Sequence, residues 1–220
     1  MMIVNERIIT FLNSFETENN PCLVTIEEEA LGRSIPIIKK ETQSLLKVML
    51  SIQKPMRILE IGTAVGFSVL LMSEWVDTTC QIVTIEKDDR QIPVAQSNIR
   101  KVGKEEQITL LHGDAKEELP KLVNPFDFIF MDAAKGQYLS FFPEILRLLS
   151  PRGVLVSDNV LQEGNIVESR YAITKRDRTI HDRMREYLYL LKHHEELVTT
   201  ILTVGDGVAV SSRRAGRSGY

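Results

Sequence analysis

The residues of this chain that could do chemistry fall at the ends of short apolar runs. The first such run closes in Glu60-Ile-Gly-Thr-Ala-Val-Gly66. Glycines at 62 and 66 let a backbone turn tightly and approach a ligand. Their spacing is G-x-x-x-G, not the G-x-G-x-x-G of dinucleotide folds, and there is no Gly-Lys-Ser/Thr phosphate loop. A carboxylate at Glu60 would repel a pyrophosphate and attract an ammonium group. Glu86 closes the next run, twenty residues after Gly66, where an acid can take both hydroxyls of a ribose. The glycines alone describe any strand–turn–helix; the two acids at strand ends favour a site. Together they describe a nucleoside ligand carrying a cationic amino acid, as S-adenosylmethionine does. Asp114, in Gly113-Asp114-Ala115 after the third run, either caps the next helix or accepts the adenine amine.

A second set of residues suits a hard cation. The fourth run ends in Met131-Asp-Ala-Ala-Lys135 and the fifth in Ser157-Asp-Asn159. Asp132, Asp158 and Asn159 offer three oxygen ligands, the donor set of an octahedral ion such as Mg²⁺ or Mn²⁺. An aspartate at a strand end is also a common helix cap, so each alone is weak. No His or Cys cluster suggests zinc. Lys135 lies three residues beyond Asp132, within reach of a substrate as a general base; the alternative is an ordinary loop lysine.

These positions need elements that bring them together. Apolar runs at 57–61, 81–86, 108–112, 126–131, 154–157, 198–203 and 208–212 read as strands. Amphipathic stretches at 67–76, 93–102, 115–122, 139–149 and 174–196 read as helices between them. Such alternation predicts a parallel sheet covered on both faces, with ligands at the C-terminal strand ends. Only Val204-Gly-Asp-Gly207 joins the last two strands, too short for a parallel crossover, so they must form an antiparallel hairpin. The expected architecture is α/β: a Rossmann-like, seven-stranded, mostly parallel sheet with an antiparallel C-terminal strand. Residues 1–55 form a helical N-terminal extension, 56–212 the main domain and 213–220 a basic tail. Within the extension, Thr25-Ile-Glu-Glu28 has capping-box form.

Composition narrows the class. The chain has 220 residues, 43% hydrophobic and 26% charged, with formal net charge −3. That excludes disordered, collagenous and coiled-coil chains. No apolar run nears the roughly 18 residues a bilayer span needs. Glu6 and Arg7 stand where a signal peptide would be apolar, so a cytoplasmic location is expected. Cys22 and Cys80 cannot form a disulfide framework and are expected as buried thiols. His112 is expected at a strand end, and His181, His193 and His194 on an exposed helix face.

Five segments together resemble a known family: ILEIGTAVGFS (58–68), VTIEKD (83–88), HGDA (112–115), FIFMDAAKGQY (128–138) and VSDNVL (156–161). They are similar to the cation-dependent O-methyltransferases related to catechol and caffeoyl-CoA O-methyltransferases. The resemblance implies that Glu60, Gly62 and Ser68 border the methionine end of S-adenosylmethionine, Glu86 the ribose, and Asp114 and Ala115 the adenine. It implies that Asp132, Asp158 and Asn159 hold Mg²⁺, that Asp132 also borders the cofactor and the reaction, and that Lys135 is catalytic. Ile38 falls where the family's N-terminal helices meet cofactor and substrate. A homodimer through the N-terminal helices is also implied.

Within that family the chain most resembles the bacterial enzymes that convert wobble 5-hydroxyuridine of tRNA to 5-methoxyuridine. The short N-terminus, the wording EIGTAVGFS and a long basic segment carry this resemblance. Residues 170–185 hold Arg170, Lys175, Arg176, Arg178, Arg183 and Arg185 against Asp177 and Asp182. Arg213, Arg214 and Arg217 follow in the tail. Such a concentration on an acidic chain suits the phosphates of a tRNA anticodon loop, with Arg176, Arg178, Arg183 and Arg185 as the RNA-binding residues. A solvated helix face is the plainer explanation. Ala133 and Ala134 leave room beside Lys135. A 5-hydroxyuracil and a catechol both offer a hydroxyl next to a second oxygen, so one metal site serves either. The alternative substrate is therefore a small catechol-like or caffeoyl-type phenol.

Overall fold

A computed structural model describes residues 4–215 of the chain; residues 216–220, Arg217 among them, lie outside the described residues, and Arg213, expected to open the tail, ends the last strand. The strands are β1 Arg57–Ile61, β2 Gln81–Glu86, β3 Ile108–His112, β4 Phe126–Met131, β5 Leu149–Ser157, β6 Leu197–Leu202 and β7 Val208–Arg213. The helices are α1 Glu6–Asn13, α2 Pro21–Gly32, α3 Lys40–Gln53, α4 Phe67–Glu74, α5 Ile92–Val102, α6 Ala115–Glu118, α7 Tyr138–Leu148 and α8 Arg178–His193.

The seven strands form one sheet in the order β3-β2-β1-β4-β5-β7-β6. β1 to β5 pair in parallel, and β7 runs antiparallel to both β5 and β6. The chain reverses its direction of winding between β1 and β4, the place where open α/β sheets hold ligands. The strands are rich in Ile, Leu, Val and Phe because both faces are covered. On one face Leu59, Ile129 and Leu155 pack with Phe141, Tyr187 and Leu191. On the other Ile58, Phe128 and Val156 pack with Leu23, Leu46 and Leu50 of α2 and α3. The N-terminal extension thus completes the core rather than standing apart, although α1 buries no residue. No helix of the described residues is long and apolar enough to cross a membrane.

Several local expectations change. α2 starts at Pro21, with Asn20 accepting from the Cys22 N–H at 2.9 Å, so Thr25 lies inside the helix and donates to Pro21 O at 3.0 Å. Asn before Pro is the stronger start signal: an Asx cap followed by a residue that needs no N–H partner. The expected 115–122 helix gives way to a 3-10 turn over Leu119–Lys121, where Pro120 has no N–H to donate. β5 begins at Leu149 and takes in Pro151, which does not merely end α7. The long helix starts at Arg178, not Thr174, leaving half of the basic segment in turns. His181 is buried on the inward face of α8, and Cys22 is exposed, both against expectation; Cys80 is buried as expected.

Candidate active site

Parallel register places the site. Ile61 pairs with Ile85 and Met131, and Met131 with Ser157, so Gly62, Asp132 and Asp158 leave the sheet side by side. Each continues the ladder one step: Gly62 N–H donates to Ile85 O at 3.0 Å, Asp132 N–H to Ile61 O at 3.0 Å and Asp158 N–H to Met131 O at 3.0 Å. Gly62 has φ +100°, and a Cβ there would collide with the carbonyl oxygen of Asp132. No other residue allows β1 and β4 to emerge so close together.

A cavity of about 750 Å³ opens over these strand ends. Gly62, Ser68, Glu86, Asp114, Ala115, Asp132, Lys135, Asp158, Asn159 and Ile38 all line it. Sequence positions from 38 to 159 thus converge on one chamber, although their roles rest on chemistry. Glu60 does not line the cavity. It is fully buried behind the glycine turn, where Thr84 Oγ1 donates to its Oε2 at 2.5 Å and Thr63 contacts Thr84. Its Oε1 has no hydrogen-bond partner. Burial, above all, pushes the Glu60 carboxyl up to about 8, against the nearby Ser68 and Thr84 hydroxyls that pull it down. Glu86 is engaged by backbone: Oε2 accepts from Ala64 N–H at 2.8 Å, and Oε1 from Lys87 and Asp88 N–H at 2.9 and 2.8 Å. It therefore ties the glycine turn to the end of β2 as well as facing the cavity. Asp114 caps α6 by accepting from Lys116 N–H at 3.0 Å while still facing the chamber, so its two expected placements coincide.

At the other end Asp158 is buried and Asp132 half-buried. Burial pushes the Asp158 carboxyl up to about 7, with the Asp132 charge adding to the shift. Burial likewise raises Asp132, while Asn159 and Lys135 pull it down. Asn159 has φ +59° and donates Nδ2 to Asp132 Oδ1 at 2.9 Å. Neither acid forms an ion pair among the described residues. Two neighbouring carboxylates with no ion pair among the described residues fit a divalent cation, with the Asn159 amide turning its oxygen inward. Lys135 stands on a 3-10 turn, Lys135–Gln137, braced from two sides. Arg183 Nη1 donates to Gly136 O at 3.0 Å, and the buried Tyr138 hydroxyl reaches Met131 O at 3.2 Å and Asp158 O at 3.0 Å.

Sequence reasoning misses Asp206, Lys39 and Thr42, which also line the cavity. Asp206 sits in the turn after β6, a strand end whose sequence signals only a hairpin. Of the expected RNA-binding residues, Arg178, Arg183 and Arg185 hold the carbonyls of Ile173, Gly136 and Ile166 at 3.2, 3.0 and 2.9 Å. Arg176 is exposed in the turn before α8. Of the remaining histidines expected on an exposed helix face, His193 is exposed and His194 partly covered. His112 is exposed at the end of β3, bonded to Asp89 at 2.7 Å.

Comparison with known proteins agrees with this architecture. A catechol O-methyltransferase of Mycobacterium tuberculosis is 28% identical over 209 residues, covering 91% of this chain and 92% of that protein. A catechol O-methyltransferase of Niastella koreensis is 35% identical over 127 residues, 56% of this chain and 58% of that protein's length. The SAH-bound Podospora anserina methyltransferase PaMTH1 superposes with a TM-score of 0.86 at 26% identity, covering 96% of this chain and 97% of that one. The O-methyltransferase family profile matches residues 14–214, nearly the whole chain, and the chain belongs to that family.

Proposed function

We propose that this chain transfers the methyl group of S-adenosylmethionine, with a divalent cation, to a hydroxyl on an aromatic ring that carries a second oxygen beside it. The observation that carries the reading is the Asp132–Asp158 pair, which forms no ion pair among the described residues and shares its chamber with Lys135. The cofactor half of the chamber fits its ligand. The first intrahelical donor of α4 is Leu70, to Gly66 O at 3.2 Å, which leaves the N–H groups of Phe67 and Ser68 free for a carboxylate. Glu86 Oε2 keeps one lone pair for a ribose hydroxyl, and Asp114 suits the adenine amine.

Asp132, Asp158 and Asn159 would hold Mg²⁺ or Mn²⁺, and a bound cation would acidify the acceptor hydroxyl. Lys135 takes the hydroxyl proton on Nζ. Pro36, Ile37, Ile38 and Phe141 supply an apolar wall that keeps water from the reacting groups. A second copy of the chain suits the exposed Ile8, Phe11 and Leu12 of α1 and Phe15 just beyond it, consistent with a homodimer through the N-terminal helices.

The names of the relatives favour a catechol-type phenol as acceptor. A second reading, tRNA 5-hydroxyuridine, is favoured by one observation. Arg183 is bonded to the turn that carries Lys135, so the basic 170–185 segment flanks the reacting end of the chamber. One assay decides. The protein is given catechol, and separately tRNA bearing 5-hydroxyuridine, each with Mg²⁺ and with excess chelator. Chelator is expected to abolish methylation and Mg²⁺ to restore it; full activity in chelator would overturn the cation. The acceptor with the higher kcat/KM identifies the substrate class.

A further inference from the structure

The fold brings a third acid to the two-acid site and pairs it with a lysine from the far end of the chain. Asp206, in the turn between β6 and β7, lines the same chamber as Asp132 and Asp158. Lys39, just before α3, binds Asp206 Oδ1 at 2.6 Å. The pair is fixed from both sides. Leu161 N–H donates to Asp206 O at 3.1 Å and Val160 N–H to Gly207 O at 2.9 Å, which ties the turn to the segment carrying Asp158 and Asn159. A Cβ on Gly205 would lie 2.6 Å from Thr42 Oγ1, so the turn seats closely on the start of α3. The Asp206 charge reaches both acids and pushes each carboxyl upward.

We propose that Lys39 and Asp206 form a charge pair that sets the net charge, and hence the affinity, of the cation site. Asp206 adds attraction for a divalent ion, and Lys39 offsets it. The ion is then held firmly enough to bind and weakly enough not to be trapped. This inference rests on the divalent-cation reading above.

The test is calorimetric titration of the full-length protein with Mn²⁺ at fixed pH, with four variants. Lys39→Met leaves Asp206 uncompensated, and Mn²⁺ is expected to bind about threefold tighter or better. Asp206→Asn leaves the ammonium without its partner, and binding is expected to weaken by about threefold or more. The double variant should return to within about twofold of wild type, since both charges are gone. Lys39→Arg keeps the charge and should match wild type. Opposite signs for the two single variants separate charge control from a brace, because breaking a brace weakens binding in both. Equal affinities throughout, or weakening in both single variants, would overturn the proposal. A wild type that binds no Mn²⁺ would instead overturn the cation reading itself.

Discussion

Glu60 is an acid with no exposure and one oxygen that has no hydrogen-bond partner among the described residues. Its carboxyl is raised from 4.5 to about 8, so the folded chain holds a proton that the unfolded chain releases. A raised acid contributes stability that is present below pH 4.5 and is lost as pH rises through about 8. Melting temperature of the ligand-free protein should therefore decline over that window. Glu60→Gln keeps the shape without the titration and should make the decline shallower, the raised Asp158 carboxyl supplying the remainder; parallel curves for the two proteins would remove Glu60 as a source. Lys135 admits a kinetic test. Lys135→Met removes the base while leaving both acids and the glycine turn intact, and should cut kcat by about 10²-fold or more. Cofactor affinity by calorimetry should stay within error, and an unchanged kcat would make Lys135 a bystander.

At the scale of elements, the site depends on strands leaving the sheet in register. At Gly62 the backbone leaving β1 lies directly against that leaving β4, since any Cβ there meets the Asp132 carbonyl. Gly62→Ala must adopt a left-handed φ and also push β4 away, costing about 2 kcal/mol or more. Chemical denaturation should show that loss, together with weaker cofactor binding, because the displaced residue is Asp132. A variant as stable as wild type would mean that the turn re-forms without the close approach. The 135–137 turn has similar dependence on α8 through Arg183. A charge reversal at Arg183 would therefore confuse weaker RNA binding with disruption of the turn, and so would one at Arg178, which holds Ile173 O.

At the scale of the molecule, a formal charge of −3 coexists with a cationic run at 170–185. Lys175 and Arg176 are exposed in the turns before α8 and form no ion pair among the described residues. If the acceptor is tRNA, Lys175→Glu with Arg176→Glu should weaken tRNA methylation strongly and lower the salt slope by about one unit for each phosphate no longer neutralised. Catechol turnover should be unaffected, since neither residue lines the chamber. The same tRNA activity and salt slope in both proteins would leave the phenol as the substrate class.

Strand periods, glycine turns and acids at strand ends were legible in the sequence. In a parallel sheet the chemistry gathers where strands end, so local patterns at Glu86, Asp132 and Asp158 mark the place. The helical N-terminal segment was legible by its apolar stripe, but not its role in completing the core. Only the tertiary structure decided the rest, because it depends on packing between distant parts. Lys39 and Asp206 are separated by 167 residues and share no local pattern. The strand order turns Glu60 into the wall rather than the chamber, and helix packing turns His181 inward. Glu86 reads as a ligand for ribose, yet the fold also gives it three backbone N–H groups. Residue type and spacing set which groups stand at each strand end; the burial that raises their pKa values and the partners that offset their charge come from contacts no single segment contains.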